Sequence, residues 1–463
     1  MKEFNNVSDG IPTIPFVANY NVDSESFNNF QGKAMQELIS DISGYVQRSI
    51  GLGVIPQDSI HLVAHNVGQE YLSYISDLKG KKLDKEQIIK ITDIKSTCDK
   101  IISQINEEKY FNLNFISTGI AQDLMSNFLN SSEDFYLENL GFEDKIDKAN
   151  SKVFLRENFS DYMVNGHILD TNKQDWIDDL YDYFDFYQKK GLNLIIRLDR
   201  SVSGLGYKKI CTYKDIEELI LLFNINKHTL TDKFLLEICF DSDSIISSPS
   251  CLAYINKNND VDTFSCTNQL LNGATHEGNV VIKDDEYFEN LQNLMKKLTN
   301  NIGSEINDKL GVISYYGIDF MLIDISYYEN IYDIVGKNVE IVNVYGKDYA
   351  LIVCEVNRRM TGAYSSAMIN NLYFKDKDKR IANYNTFEYN INSNDNFEHI
   401  QNKIIMNLKK EGILFDPTKD SFMFGVYPFS IQKGKIQVVI ISNNSEHENE
   451  IIKELESILY NLN

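Results

Sequence analysis

The feature that most constrains the fold of this sequence is a short succession of patterns between residues 191 and 240. The segment LNLIIRL has the apolar, β-branched composition of a strand, and DRSVSGLG is a loop rich in Gly and Ser. A second strand pattern, YKKICTY, a helix pattern, DIEELILLF, and a third strand pattern, KFLLEICF, follow. Because the loop between the first two strands is short, an antiparallel hairpin is favoured over a strand that runs into a helix. The sequence therefore predicts a ββαβ unit whose hairpin tip can close like a lid.

The segments on both sides of this unit also alternate between strand and helix patterns. SIHLVAH, EKYFNLNFIST, SCLAYIN, VDTFSCTN, GIDFMLID and KIQVVIIS have strand composition, and VEIVNVYGKDYALIVCEVN predicts a hairpin that turns at YGKD. DWIDDLYDYFDFY predicts an amphipathic helix with an acidic outer face. Helical spacing predicts further helices at Met35, Leu38, Ile42 and Val46, at Tyr71 and Ile75, at Phe288, Leu291, Leu294, Leu298 and Ile302, and at Ile451, Leu455, Ile458 and Leu462. The alternation predicts a mixed α/β (α+β) fold, and 463 residues correspond to about three domains of ordinary size.

Composition limits the classes of partner. Lys and Arg total 45 against 67 Asp and Glu, which gives a formal net charge of -22. A surface this negative repels phosphate backbones and anionic lipids, so binding to nucleic acid or to membranes is not expected. No window reaches the roughly 18 apolar residues of a membrane helix, and the N-terminus lacks a signal-peptide pattern. We therefore expect a cytoplasmic protein.

The cysteines do not form a recognisable site. The chain has 6 of them, none in a C-x-x-C pair, at positions 98, 211, 239, 251, 266 and 354. Wide separation suits reduced thiols better than a zinc site or a disulfide framework. His276 lies in QLLNGATHEGN, where Gly273 and Gly278 predict a bent loop, so we expect a surface histidine there.

The Gly/Ser loop is a candidate for phosphate binding. Small residues allow backbone N–H groups to approach phosphate oxygens, and Arg197 on the incoming strand can add positive charge. The loop is not a P-loop, since no Lys-Ser/Thr follows its glycines, and a strand follows it, unlike in a dinucleotide fingerprint. The alternative is a surface hairpin in which Arg197 pairs with Asp199 or Glu237.

A second candidate site combines two acids and an amide. Asp319 lies in one apolar strand pattern, Glu355 lies in another, and Asn357 shares a strand face with Glu355. Oxygen ligands of this kind suit Mg²⁺ or Mn²⁺, and no His or Cys side chain in a zinc-like spacing accompanies them. The alternative is a pair of buried carboxylates neutralised by Arg or Lys. Arg358 and Arg359 follow at once and could hold a phosphate or a developing oxyanion.

Taken in order, these segments resemble the ATP-grasp superfamily of carboxylate ligases, and most closely the pheganomycin-type peptide ligases and the butirosin acyl carrier protein ligases. The resemblance rests on NSKVFLRENF, LIIRLDRSVSGLG, FLLEICF, TNQLLNGATHEGN, GIDFMLID and CEVNRRMTGAY, with GILFDP and FGVYPFS in the tail. It implies an ATP-grasp fold with an N-terminal Rossmann-like pre-ATP-grasp domain and a small C-terminal α/β extension. The implied domains are 1–140, 141–375 and 376–463, with the flap-bearing lid at about 188–240.

The resemblance also implies roles for individual residues. Arg197 stands where the family usually has a Lys, and Arg358 stands where it usually has a Pro. Lys152 and Arg197 would contact phosphates, with Arg197 and Arg359 also acting in catalysis. The remaining implied nucleotide contacts are Ser201, Ser203, Gly204 and Gly206 in the flap, Glu237, Ile238 and Phe240 in the adenine hinge, Asp243 (or Asp241) at the ribose, and Gln269. Asp319, Glu355 and Asn357 would hold Mg²⁺, with Mn²⁺ as a substitute.

The implied activity is ATP-dependent, ADP-forming ligation of an amino-acid or peptide carboxylate to an amine through an acylphosphate. One alternative is transfer to an acyl carrier protein as a thioester. Two others are a non-catalytic nucleotide-binding scaffold, prompted by Arg197 and Arg358, and a small-molecule kinase. A homodimer is left open, and the sequence names neither the carboxylate nor the nucleophile.

Overall fold

The structure of the protein is a computed structural model. The structure describes residues 13–17, 51, 61–63, 66–80, 82–83, 88–90, 112–116, 148–199, 207–225, 232–255, 260–272, 275–281, 286–311, 314–344, 346–358, 361–374, 381–391, 396–418, 424–432 and 434–462. The candidate residues Ser201, Ser203, Gly204, Gly206 and Arg359 lie outside this set, as does the helix predicted at Met35–Val46.

Helices and strands alternate along the described residues. The helices are α1 (Gln69–Lys79), α2 (Lys152–Phe159), α3 (Trp176–Gln188), α4 (Tyr213–Ile225), α5 (Glu286–Leu310), α6 (Ala363–Tyr373), α7 (Phe397–Lys410) and α8 (Ser445–Tyr460). The first strands are β1 (Thr13–Val17), β2 (His61–Val63), β3 (Ile88–Lys90), β4 (Asn112–Ile116), β5 (Gly166–Asp170), β6 (Asn193–Leu198), β7 (Tyr207–Ile210), β8 (Lys233–Cys239) and β9 (Ile245–Ser247). The later strands are β10 (Pro249–Ile255), β11 (Val261–Asn272), β12 (Thr275–Val281), β13 (Ser314–Asp324), β14 (Glu340–Val344), β15 (Lys347–Asn357), β16 (Ile381–Glu388), β17 (Gly425–Gln432) and β18 (Lys435–Ser442).

The predicted hairpin unit is part of a small four-stranded sheet, which we call the lid sheet. Its order is β5-β8-β6-β7, and β6 pairs antiparallel with β7, which confirms the predicted hairpin. Helix α3 covers this sheet and buries Trp176, Leu180, Phe184 and Tyr187, the stripe expected from its amphipathic pattern. The lid core also includes Ile323, Ala350 and Ile352 of β13 and β15, so the lid sheet packs directly on the neighbouring large sheet.

The large sheet has 10 strands in the order β14-β15-β13-β10-β11-β12-β16-β18-β17, with β9 paired to β13. The predicted YGKD turn is confirmed, because Val344 pairs with Lys347 and Gly346 has a φ of 77°, where glycine is favoured. Residues after 375, expected to form a C-terminal extension, contribute β16 to β18 to this same sheet. The stripe of α8 packs against it through Ile451, Leu455 and Ile458.

The bent loop expected around Gly273 and Gly278 was wrong at Gly278. Gly273 lies outside the described residues, whereas Thr275–Val281 forms strand β12, and Gly278 pairs with Asn385 of β16. A Cβ at Gly278 would lie 1.9 Å from the carbonyl oxygen of Tyr384. Glycine is therefore needed for the close approach of two strands, and a sequence pattern cannot separate this role from a turn.

The N-terminal region shows two parallel strand pairs, β1 with β4 and β2 with β3. Parallel pairing fits the layered α/β arrangement expected there. None of the helices in the described part of the chain is long and apolar enough to cross a membrane.

Candidate active site

The three residues expected to bind a metal come together at one end of strands β13 and β15. In the antiparallel register Asp319 lies opposite Glu355, and Gly317 lies opposite Asn357. A bulge follows Asp319, because Phe320 pairs with Val353 and Cys354 is the extra residue. The side-chain amide of Asn357 donates a hydrogen bond of 2.8 Å to Oδ2 of Asp319. Strand register alone therefore assembles two carboxylates and an amide on one surface.

The donor set fits a hard divalent cation. Asn357 is 3% exposed, and among the described residues its Oδ1 atom has no hydrogen-bond partner. A buried carbonyl oxygen without a partner is unfavourable, and a cation would satisfy it. No three His, Cys, Asp or Glu side chains converge within the described ranges, so Asn357 would have to supply the third ligand. Oxygen atoms only, two of them from carboxylates, suit Mg²⁺ or Mn²⁺.

A chain of alternating charges runs from these acids into the lid sheet. Nζ of Lys152 lies 3.3 Å from Glu355, and NH2 of Arg197 lies 4.0 Å from the other oxygen of Glu355. NH1 of Arg197 donates to Oε2 of Glu237 at 2.9 Å, and NH2 of Arg156 donates to Oε1 of Glu237. We call this series, Lys152–Glu355–Arg197–Glu237–Arg156, the charge chain. It joins α2, β15, β6 and β8.

Burial and neighbouring charge set the protonation of these groups. Burial lowers the pKa of Lys152, although Glu355 opposes this effect. Burial alone would raise the pKa of Glu237, but Arg197 and Arg156 outweigh it and hold that pKa below its usual value. Burial acts to lower the pKa of Arg197, and Glu237 and Glu355 reverse this to a raised pKa. Glu237 and Arg197 are therefore charged at neutral pH.

The end of β6 fixes the start of helix α2, where Lys152 lies. Oδ1 of Asp199 accepts hydrogen bonds from the Ser151 hydroxyl at 2.6 Å and from the Val153 N–H at 2.9 Å. Ser151 in turn caps the helix by accepting from the N–H of Phe154 at 2.9 Å. These contacts place Lys152, 4% exposed, between the lid sheet and β15.

Arg358 packs on the ring of Tyr316. Its side chain is fully buried and its guanidinium lies 5.3 Å from the centre of the Tyr316 ring. Burial lowers the pKa of Arg358 to about 10. The N–H of Arg358 donates to the Asn150 side chain at 2.7 Å, which ties the end of β15 to the segment before α2. A role for Arg358 or Arg359 in holding a phosphate stays a prediction.

The residues expected at the adenine hinge continue along β8. Ile238 is buried opposite Leu194 of β6, and its N–H donates to the Asn165 carbonyl at 3.3 Å. Phe240 is buried and packs edge-on against Tyr328 at 5.6 Å. These positions line the junction between the lid sheet and the following turn.

Two further candidates lie on other elements. Asp243 is exposed in the turn Ser242–Ser244, and Gln269 lies on β11 opposite Asn279. Their nucleotide-binding roles stay predictions.

Sequence reasoning missed Arg156 and its ion pair with Glu237. A signal was present, because Lys152 and Arg156 are one helical turn apart in NSKVFLRENF and so share a helix face. The Arg197–Glu237 pair, one of the alternatives open for Arg197, is confirmed. Arg197 is 18% exposed and also lies beside Glu355, and its contact with phosphate stays a prediction.

Comparison with solved structures identifies the fold. An N5-carboxyaminoimidazole ribonucleotide synthetase in complex with ADP superposes with a TM-score of 0.52 at 10% identity, over 96% of this chain and 97% of that chain. The N5-carboxyaminoimidazole synthase of Aspergillus clavatus, with ADP and 5-aminoimidazole ribonucleotide, gives a TM-score of 0.50 at 7% identity, over 97% and 99%. The chain has the ATP-grasp fold. No family model matches the sequence, and no curated protein matches it.

The candidate site lies at the junction of the two sheets. The site is assembled where the lid sheet packs on β13 and β15 of the large sheet, so its residues come from two separate sheets and from α2. Clefts between packed units are common places for ligand sites. The charge chain crosses this junction through Arg197, whose NH2 donates to the Cys354 carbonyl at 3.0 Å.

Proposed function

We propose that this protein is an ATP-dependent, ADP-forming carboxylate ligase. The observation that carries the proposal is the grouping of Asp319, Glu355 and Asn357 on one side of the site with Lys152 and Arg197 beside them. Two acids with an amide suit a divalent cation, and a buried Lys152 beside a half-buried Arg197 suits a polyphosphate. ATP and Mg²⁺ supply both partners, with Mn²⁺ as a substitute cation.

The chemistry is phosphoryl transfer followed by acyl transfer. A substrate carboxylate oxygen attacks the γ-phosphorus of ATP, the bond to the bridging oxygen breaks, and ADP leaves. An amine nitrogen then attacks the acyl carbon of the acylphosphate, inorganic phosphate leaves, and the amine loses a proton to form an amide. Mg²⁺ held by Asp319, Glu355 and Asn357 would neutralise charge on the phosphate oxygens.

The residues of this chain contribute by binding and orientation. Lys152 and Arg197 hold phosphate oxygens and keep the γ-phosphate directed at the carboxylate. Arg359 is the candidate for the charge that develops on the acyl oxygen. The flap residues Ser201, Ser203, Gly204 and Gly206 are the candidates for excluding water from the acylphosphate.

The substrates are proposed to be small molecules, an amino-acid or peptide carboxylate and an amine. This choice rests on the resemblance of TNQLLNGATHEGN, GIDFMLID and CEVNRRMTGAY to pheganomycin-type peptide ligases. A carrier-protein thiol as acceptor would give a thioester from the same acylphosphate, so the product identifies the acceptor.

The test is ADP release over a panel of amino-acid pairs with Mg²⁺, followed by mass spectrometry of the products. An amide supports the proposal, whereas a thioester or a stable phosphorylated product would reassign the acceptor. Glu355→Ala and Asn357→Ala should each lower substrate-dependent ADP release by about 100-fold or more with an unchanged circular dichroism spectrum. Normal turnover in Glu355→Ala would contradict the metal assignment. ATP binding without turnover across the panel would indicate a non-catalytic scaffold.

A further inference from the structure

The side chain of Glu237 is buried and is held by two arginines, so it cannot contact a ligand. It is 2% exposed, and each of its two carboxylate oxygens accepts a hydrogen bond from a different arginine, Arg156 and Arg197. A buried carboxylate that accepts hydrogen bonds from two guanidinium groups is an electrostatic anchor, because it holds both groups in defined positions. The Glu237 carboxylate is therefore not available to contact adenine.

Arg197 is oriented by contacts on both sides of the junction between the sheets. NH1 donates to Glu237 in the lid sheet, and NH2 donates to the Cys354 carbonyl of β15 at 3.0 Å. Two directed contacts on different nitrogens fix the plane of a guanidinium, which a lysine ammonium in the same place could not achieve. The N–H groups that remain are held in a constant direction beside Glu355.

Arg156 holds the other end of the anchor. Its NH1 donates to the Val164 carbonyl at 2.5 Å, so Arg156 cannot follow Glu237 if that side chain moves. Arg156 also shares a face of α2 with Lys152, which binds Glu355. Helix α2 thus closes the charge chain at both ends and fixes the spacing of the two phosphate-binding candidates.

We propose that Glu237 and Arg156 are positioning residues that orient Arg197 toward the polyphosphate of the nucleotide. The inference rests on the proposed function, because it assigns Arg197 to the phosphates of ATP. It explains how an arginine can serve where a lysine is usual in proteins that this sequence resembles. It also predicts that the Glu237 carboxylate contributes to phosphate binding and not to nucleoside binding.

The test measures the affinity for two probes by isothermal titration calorimetry. The first probe is ADP in the presence of Mg²⁺, and the second is adenosine. Glu237→Gln keeps the shape of the side chain, but its amide must direct an NH₂ group at one of the two arginines. We expect Glu237→Gln to weaken ADP binding by about 10- to 100-fold, the range for a lost charged hydrogen bond, and to change adenosine binding by less than about twofold. Equal losses for both probes, or unchanged ADP binding, would overturn the inference.

A double-mutant cycle separates positioning from direct contact. In an Arg197→Met background, Glu237→Gln should cost less than about a further twofold in ADP affinity, since the residue it orients is gone. Additive losses would show that Glu237 acts independently of Arg197. If Glu237→Gln does not fold, Arg156→Lys is the substitute variant. It should lose less affinity for ADP than Glu237→Gln would, and its affinity for adenosine should not change. Equal losses of affinity for both probes, or no loss for either, would overturn the inference.

The matched control is Glu218→Gln, which removes the 2.7 Å ion pair with Lys208 on the lid surface and should leave both affinities unchanged. A wild-type protein that binds neither probe would overturn the proposed function together with this inference. A wild-type protein that binds both probes, with a Glu237→Gln variant that binds ADP equally well, would overturn the inference alone.

Discussion

Replacing Asn357 by Asp places two carboxylates where the structure has a hydrogen bond. Nδ2 of Asn357 lies 2.8 Å from Oδ2 of Asp319, so Asn357→Asp brings two like charges to about this distance. With an effective dielectric constant of about 20, the repulsion is about 6 kcal/mol. Protonating one carboxyl group at pH 8 costs about 5 kcal/mol, because its usual pKa is near 4, and this sets an upper limit. We expect a loss of about 3 to 5 kcal/mol in unfolding free energy.

A divalent cation should remove most of this loss. Mg²⁺ between the two carboxylates replaces repulsion with two attractions, so its addition should stabilise Asn357→Asp more than it stabilises the wild type. The measurement is urea unfolding followed by circular dichroism at pH 8, with EDTA or with Mg²⁺. The difference in stability between the two conditions reports metal binding and requires no assumption about the reaction.

The chain offers a matched control on the neighbouring hairpin. Nδ2 of Asn343 donates to Oδ1 of Asp348 at 2.7 Å, but this pair is exposed. Asn343→Asp should therefore cost less than about 1 kcal/mol and should show no dependence on Mg²⁺. The reasoning is refuted if the two variants lose equal stability in EDTA, or if Mg²⁺ stabilises both to the same extent.

Three further predictions concern the surroundings of the site. Burial lowers the pKa of His167 from its usual 6.5 to about 4, so the unfolded chain takes up the proton at a higher pH than the folded protein does. Stability therefore falls as the pH drops from about 6.5 to about 4. His167→Asn should reduce this pH dependence, measured as the urea midpoint of unfolding over the same window. Gly278→Ala should cost about 2 to 4 kcal/mol in urea unfolding, because its Cβ would meet the Tyr384 carbonyl, and a cost under 1 kcal/mol would contradict that contact. Ser151→Ala should cost about 1 kcal/mol in the same assay through loss of the cap on Phe154, whereas Ser151→Thr, which keeps a hydroxyl for Phe154 and Asp199, should retain most of the stability.

Much of the fold could be predicted because its signals are local. The β6–β7 hairpin, helix α3 and the turn at Gly346 follow from periodicity, apolar runs and turn chemistry within a few residues of each other. Gly278 shows the limit of such reasoning. Glycine is needed at this position because β16, which lies more than a hundred residues later in the chain, approaches it closely. No local sequence pattern contains that information.

The candidate site divides in the same way. Oxygen-bearing side chains in apolar strands indicated Asp319, Glu355 and Asn357, because charge in such strands requires a partner. Of the charge chain, the sequence suggested only the Arg197–Glu237 pair, as one of two alternatives, since Glu237 could accept from any of several cations in the sequence. Packing of α2 against β8 selects Arg156, and the approach of β6 to β15 selects Arg197.

By itself the sequence determined which residues could bind a cation and a polyphosphate, and the order of the strands and helices that carry them. Only the tertiary structure decided that Asp319 faces Glu355, because a shift of one residue in strand register would turn one of them to the opposite face of the sheet. It also decided that β16 to β18 complete the large sheet and that Glu237 lies between two arginines. Side-chain chemistry is a property of each residue, whereas register and packing depend on contacts between distant parts of the chain.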